Sequence, residues 1–157
     1  MTVTKDGNSF TGTVFCAKLN AELEIEAEGV SEGYIRRCAD IIEHMSDALF
    51  DSICEAAKKY CLYFNALERE AQGSGYTAEE PYQKVTADTP ARDLLPMFDL
   101  GTLYVDETKD ESILFFRLGG NCDWEPEHGV EAVFLDGALR CLGSYDGVSQ
   151  SELDYYI

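Results

Sequence analysis

One segment near the N-terminus alternates strictly between apolar and acidic side chains. Residues 21–28 read AELEIEAE, so that every second residue is a glutamate. This alternation is typical of a β-strand with one face in the core and the other in water. The preceding segment, FTGTVFCAKL at 10–19, is rich in β-branched and aromatic residues, and Asn20 lies at the join. We therefore expect the two segments to form an antiparallel hairpin.

From Ser31 onward the spacing of apolar residues becomes helical. One straight helix over 31–64 would be about 51 Å long, whereas a compact domain of this size has a diameter of about 39 Å. We therefore predict two helices, with Ser31 and Ser46 as their N-caps. The shared apolar stripe consists of Tyr34, Ile35, Cys38, Ile42, Met45, Leu49, Ile53, Ala57, Tyr60 and Phe64.

The middle of the chain is less regular. Residues 65–88 contain Gly, Ser and Pro without a sustained period, which predicts a long surface connection. Thr89 followed by Pro90 predicts the N-cap and first residue of a short helix that Pro96 ends. The remaining strands are expected to form a meander with a tight hairpin at Asp136-Gly137. These strands are expected at 100–106, 112–119, 129–135 and 138–144.

These elements predict a single α+β domain over residues 1–157. Its antiparallel sheet would combine the N-terminal hairpin with the C-terminal meander, and the two amphipathic helices would cover it. A length of 157 residues suits one domain. The N-terminus lacks the features of a secretory signal, and no apolar run reaches the roughly 20 residues needed to span a bilayer. A cytoplasmic location is therefore expected.

The charge of the chain narrows the classes of partner. Asp and Glu number 30 against 12 Lys and Arg, so the formal net charge is −18. A field of this sign repels phosphate backbones and anionic lipids, which disfavours nucleic acids and membranes and favours basic proteins. The six cysteines include no C-x-x-C pair, and we expect them to be reduced core residues.

The first candidate contact surface is the acidic side of the predicted strand at 21–28. Its carboxylates are spaced by about 6.8 Å along the strand and repel one another when that face is solvated. A basic partner would relieve this repulsion. Alternatively, the acidic residues protect an exposed edge strand against aggregation. The four residues concerned are Glu22, Glu24, Glu26 and Glu28.

The second candidate is the polar segment GGNCDWEPEHG at 119–129. It lacks the paired Cys and His spacings of a zinc site. In an extended backbone Glu127 and His128 would point to opposite faces, which disfavours acid–base chemistry on one substrate atom. A structural interpretation is that Pro126 and the glycines shape the connection while Trp124 packs over a sheet edge.

Residues 113–147 resemble a group of poorly characterised small bacterial domains. The resemblance depends on a W-x-x-E-H-G stretch formed by Trp124, Glu127, His128 and Gly129. Such domains are suspected to be immunity proteins of bacterial toxin systems, which neutralise a toxin by binding it. The resemblance implies no catalytic residue. Further matching positions are Asp136-Gly137, Gly143 and Asp146-Gly147.

The sequence thus favours a non-enzymatic acidic binding protein with a basic protein partner. The resemblance points to an immunity protein that neutralises a basic toxin such as a nuclease. No catalytic residue, metal or cofactor is expected. Two alternatives stay open: an adaptor domain, and a metal-assisted or acid–base enzyme that uses Glu127 and His128 with Cys122 or Asp123. The expected contact residues are Glu22, Glu24, Glu26, Glu28, Trp124, Glu127 and His128.

Overall fold

A seven-stranded sheet forms the centre of the fold. The computed structural model describes residues 1–155. The strands lie side by side in chain order, which is the arrangement expected when most neighbours are joined by hairpins. They are β1 (Thr2–Asp6), β2 (Ser9–Cys16), β3 (Ala21–Glu28), β4 (Thr102–Val105), β5 (Phe115–Gly120), β6 (Val130–Leu135) and β7 (Ala138–Gly143).

The sheet is mixed rather than wholly antiparallel. β3 and β4 run parallel, with Glu24 opposite Thr102, whereas every other neighbouring pair is antiparallel. The prediction of an antiparallel sheet is wrong at this one pairing. The chain between β3 and β4 includes both long helices. A crossover of this length carries the chain back to the end of the sheet where β3 starts, and β4 therefore runs in the same direction as β3.

β1 is absent from the sequence prediction. Its five residues, TVTKD, include only one half-buried side chain, Val3, and the others are exposed. A strand that buries so little apolar surface shows no alternation that a pattern can detect. Because β1 and β2 both lie outside β3, β3 is the third strand of seven and not an edge strand. Protection of a sheet edge therefore does not explain the glutamates of β3.

The two predicted helix starts are confirmed. The Ser31 hydroxyl accepts a hydrogen bond from the Tyr34 N–H, and the Ser46 hydroxyl accepts one from the Leu49 N–H, each at 3.1 Å. Buried side chains of both helices join the same hydrophobic cluster as buried side chains of the sheet. The first helix packs against β2 and β4, and the second packs against β7. The helices are α1 (Glu32–Glu43) and α2 (Asp47–Gln72).

α2 continues to Gln72, beyond the predicted end at residue 64. Asn65 interrupts the apolar stripe, but it is buried and its amide donates to the Tyr82 carbonyl at 2.8 Å. The helix ends at Gly73, whose φ of 57° lies in the left-handed region that glycine adopts most easily. The long connection therefore begins at residue 73 rather than 65.

The connection to β4 contains three short 3₁₀ helices. The predicted helix after Thr89 is one of them, but its N-cap is Pro90 and Pro96 lies inside it. Thr89 instead uses its hydroxyl to accept a hydrogen bond from the Thr86 N–H at 2.9 Å. The 3₁₀ helices cover Gly73–Gly75, Pro81–Lys84 and Ala91–Met97.

The two halves of the outer sheet face are covered differently. Across β5 and β6, the C-terminal segment (residues 144–155) lies on the sheet, and Val148 and Leu153 bury themselves against Phe115 and Val133. On β3 the outward-pointing glutamates remain exposed. We call this exposed outer side of β3 the acidic face. Within residues 1–155, no helix is long and apolar enough to cross a membrane.

Five of the six cysteines are core residues, as predicted. All six are free thiols, and five of them are buried while Cys141 is half-buried. Burial disfavours the charged thiolate, and it raises the pKa of the Cys38 and Cys61 thiols to about 12. These side chains therefore pack as small hydrophobic groups at neutral pH.

Candidate functional site

The acidic face has the alternation that the sequence predicts. The four glutamates of β3 are exposed, while Leu23, Ile25 and Ala27 between them are buried. Within residues 1–155 no ion pair or hydrogen bond engages the four carboxylates. The ion pairs of lysine and arginine in this part of the chain all involve carboxylates elsewhere. The charges of the acidic face are therefore not neutralised by neighbouring side chains.

The residues beside the glutamates are mainly small and uncharged. On the β4 side, Thr102 lies opposite Glu24 and Tyr104 lies opposite Glu26. Side chains of this kind neither cover nor neutralise a carboxylate, so the charges stand open to a partner. On the β2 side the facing residues are Ser9, Thr11, Thr13 and Phe15.

A shallow cavity of about 280 Å³ lies at one end of the acidic face. Glu26, Glu28, Tyr104 and Asp106 are among its lining residues. Arg117 shows how such groups hold a guanidinium, since it lies 5.0 Å from the centroid of the Tyr104 ring and its Nη2 donates to Asp106 at 2.7 Å. An aromatic ring beside carboxylates is a favourable environment for a basic side chain.

A buried ion pair lies beneath the covered half of the outer face. Arg117 Nη1 donates to Glu131 at 2.8 Å, and both side chains are almost fully buried. Glu131 also accepts hydrogen bonds from the N–H groups of Gly147 and Val148 at 3.2 Å and 3.3 Å. Burial lowers the pKa of Arg117, but hydrogen bonds to Tyr145, Glu131 and Asp106 raise it by a larger amount. The net pKa is above the usual value, so the guanidinium stays charged. The pair ties the C-terminal segment to the sheet.

Trp124 belongs to the core and not to a contact surface. Its side chain is completely buried, with the ring edge against Tyr60 at a centroid distance of 5.5 Å and with Phe98 at 6.2 Å. The expectation that Trp124 contacts a partner is corrected by this burial. Trp124 lies in the loop between β5 and β6, whose residues 122–128 we call the 122–128 loop. The tryptophan anchors this loop to α2, which is a packing role.

The 122–128 loop brings three ligand-type side chains together. The Glu125 carboxylate accepts hydrogen bonds from the N–H groups of Glu127 and His128, and it lies 3.4 Å from His128 Nδ1. One donor atom from each residue lies within 4.8 Å of the others. Glu127 and His128 would point to opposite faces only in an extended backbone, whereas residues 126–128 form a turn. Glu125 was not among the expected contact residues.

Cys122 and Asp123 do not join this cluster. Cys122 is buried, its thiol donates to the Glu125 carbonyl at 3.7 Å, and burial raises the pKa of that thiol to about 11. A thiol that is protonated at neutral pH is a poor nucleophile and metal ligand. Asp123 is exposed and lines a separate cavity of about 710 Å³ with Glu80 and Asp99.

A similar cluster occurs on α1 and weakens the case for a specific metal site. Asp40, Glu43 and His44 also place donor atoms within 4.8 Å of one another, and all three residues are exposed. Their proximity follows from helical spacing in an acid-rich chain. The cluster in the 122–128 loop is therefore not by itself evidence of a metal centre.

The fold and the site define an α+β domain with an open acidic face on a mixed, mostly antiparallel sheet. The chain belongs to the family described as "Domain of unknown function (DUF6985)", whose model matches residues 2–149. This match agrees with the predicted resemblance to a poorly characterised domain family. No curated protein and no solved structure is significantly similar to the chain.

Proposed function

We propose that this protein is a non-enzymatic binding protein that holds a basic protein partner on its acidic face. The observation that supports this most is the row of four exposed glutamates on β3 that no base neutralises within residues 1–155. β3 is an interior strand, so edge protection does not explain them. Lysine and arginine side chains of a partner would replace repulsion between like charges with attraction.

The arrangement of the rest of the chain leaves the acidic face accessible. Buried side chains of the two helices pack in one cluster with side chains of the sheet. The C-terminal segment packs on the outer face over β5 and β6, and its Tyr145 reaches Tyr104 of β4 at a centroid distance of 5.8 Å. The cavity lined by Glu26, Glu28 and Tyr104 gives one basic side chain of the partner a place to insert. Complementary charge of this kind raises association rates and makes binding sensitive to salt.

The narrower form of this proposal is an immunity protein of a bacterial toxin system that acts in the cytoplasm. The resemblance of residues 113–147 supports it. A nuclease is a fitting target because a surface that binds nucleic-acid phosphates is basic. The carboxylates of the acidic face would occupy that basic surface in place of the phosphates.

Isolation of the partner tests the immunity role. The tagged full-length protein is used to recover its partner from the cells that produce it, and the recovered protein is then expressed alone and together with this chain. We expect a partner of positive net charge that is toxic alone and harmless when both are expressed. A partner of negative charge, or toxicity that persists on co-expression, contradicts the immunity role.

A second candidate function is metal-assisted chemistry at Glu125, Glu127 and His128, whose donor atoms lie close together. Titration calorimetry with Zn²⁺ and Mn²⁺ tests it, with His128→Ala as the test variant. His44→Ala is the matched control because it changes the similar cluster on α1. Binding that is lost only in His128→Ala supports a metal site, whereas equal losses in both variants, or no binding, oppose it.

A further inference from the structure

An apolar groove of about 520 Å³ lies between α2 and the end of β7. Tyr63 of α2 lines the groove and is 65% exposed, and Leu67, one turn later, is 45% exposed. Exposed large hydrophobic side chains in one stripe commonly mark an interaction surface. The other lining residues include Ala56, Lys59 and Tyr60 of α2, and Cys141 and Leu142 of β7.

The strand beside the groove has a free edge. β7 is the last strand of the sheet and pairs only with β6 among residues 1–155. A β-bulge leaves Arg140 without a register partner in β6, and the residues after it, 141–143, line the groove. A bulge hinders long edge-to-edge pairing between proteins, so the remaining edge suits a short strand.

The charge of the groove differs from that of the chain as a whole. No Asp or Glu lines it, although the sequence contains 30 of them. Its single charged lining residue is Lys59, which is exposed and in no ion pair within residues 1–155. The chemistry of the groove therefore favours an apolar segment with a carboxylate.

We propose that this groove binds an extended segment of a second protein, which adds to β7 as an eighth strand. Alternate apolar side chains of the segment lie against Tyr63, and one carboxylate pairs with Lys59. An extended chain satisfies the backbone N–H and C=O groups at the free edge of β7. A helix uses its own backbone groups internally and leaves that edge unpaired. The groove is separate from the acidic face, so this inference does not depend on a basic partner.

Selection of random short peptides displayed on phage against the full chain tests the proposal. We expect the enriched peptides to alternate apolar residues and to include an acidic residue. Tyr63→Glu and Lys59→Glu should each weaken the best peptide at least about tenfold. The matched control is Phe15→Glu, which changes an exposed aromatic of β2 and should alter the affinity less than about twofold. Hydrogen exchange should slow at the amides of residues 141–143.

Three results overturn the proposal. The first is a selection that enriches no peptide. The second is peptide binding that Tyr63→Glu leaves unchanged, which would mean that the peptide lies elsewhere. Binding that does not slow amide exchange in residues 141–143 counts equally against the proposal, because the peptide then leaves the edge of β7 unpaired, as a helix would. The third is a dimer of this chain that Tyr63→Glu dissociates, which assigns the groove to a second copy. Size-exclusion chromatography with light scattering detects the dimer.

Discussion

Arg117 and Glu131 form an ion pair of 2.8 Å in which the side chains are 6% and 2% exposed. The two residues are not opposite each other in the sheet, since Arg117 faces Val133 and Glu131 faces Gly119. The pair therefore crosses diagonally from β5 to β6. Because Glu131 also accepts hydrogen bonds from two backbone N–H groups of the C-terminal segment, its charge holds that segment in place.

Removal of the Glu131 charge should strongly destabilise the fold. Glu131→Gln leaves part of the buried Arg117 charge uncompensated, which typically costs about 3–5 kcal/mol of unfolding free energy. Urea unfolding measures the loss. The control is Asp51→Asn, which breaks the exposed Arg92–Asp51 pair of 2.7 Å and should cost much less. Equal losses in the two variants would show that burial does not strengthen the Arg117–Glu131 pair.

Trp124 should behave as a core residue in both spectroscopy and stability. Because the chain has one tryptophan and its side chain is fully buried, its fluorescence emission should be blue-shifted and weakly quenched by acrylamide. Trp124→Ala should lower the unfolding free energy by about 3–5 kcal/mol. Phe15→Ala, at an exposed aromatic, should change it by less than about 0.5 kcal/mol. Strong quenching in the native protein would instead place Trp124 at the surface.

The buried thiols should make the protein less stable in alkali. The folded-state pKa of Cys38 is raised to about 12, so the folded chain keeps a proton that the unfolded chain loses near pH 9. This stabilisation is fully present below about pH 9 and is lost as the pH rises toward 12, by up to about 1.4 kcal/mol per pH unit for each thiol. Urea unfolding between pH 8 and pH 10 should show the decline.

The variant Cys38→Ala isolates one thiol in that experiment. Its unfolding free energy should fall less steeply between pH 9 and pH 10 than that of the unchanged chain, because one titrating group is gone. The comparison uses slopes, so the packing cost of the substitution does not affect it. Identical slopes would mean that the Cys38 thiol titrates alike in the folded and unfolded states.

Charge repulsion on the acidic face should lower the stability of the isolated protein. Glu24→Gln removes the carboxylate between Glu22 and Glu26, so it should raise the urea midpoint at low salt. The increase should shrink at high salt, which screens exposed charges. Glu55→Gln, at an exposed position of α2, is the control and should raise the midpoint less. If both variants behave alike, net charge rather than the acidic face explains the effect.

Much of the fold follows from local pattern. The alternation in residues 21–28 and the serines at 31 and 46 locate β3 and the two helix starts, because side-chain period and capping are local properties. β1 and the parallel pairing of β3 with β4 do not follow from pattern. The first buries almost no apolar surface, and the second depends on how a long crossover returns to the sheet.

For the candidate sites too, features set by strand period could be predicted, and features set by turns and strand order could not. The exposure of Glu22, Glu24, Glu26 and Glu28 could be predicted, since strand period fixes which side chains share a face. The burial of Trp124 and the proximity of Glu125 to His128 could not, because turns decide where loop side chains point. The groove beside β7 required the strand order and the path of α2, neither of which the sequence pattern specifies.

The most direct test of the acidic face compares two charge reversals against the recovered basic partner. The first is the triple variant Glu22→Lys, Glu24→Lys and Glu26→Lys, and the second reverses the exposed residues Glu55, Glu70 and Glu79, which lie outside the sheet. Both change the net charge equally. At low salt the first variant should raise the dissociation constant by about 100-fold or more, and the second should raise it by only a few-fold. Equal weakening, or unchanged affinity in the first variant, would contradict binding through the acidic face.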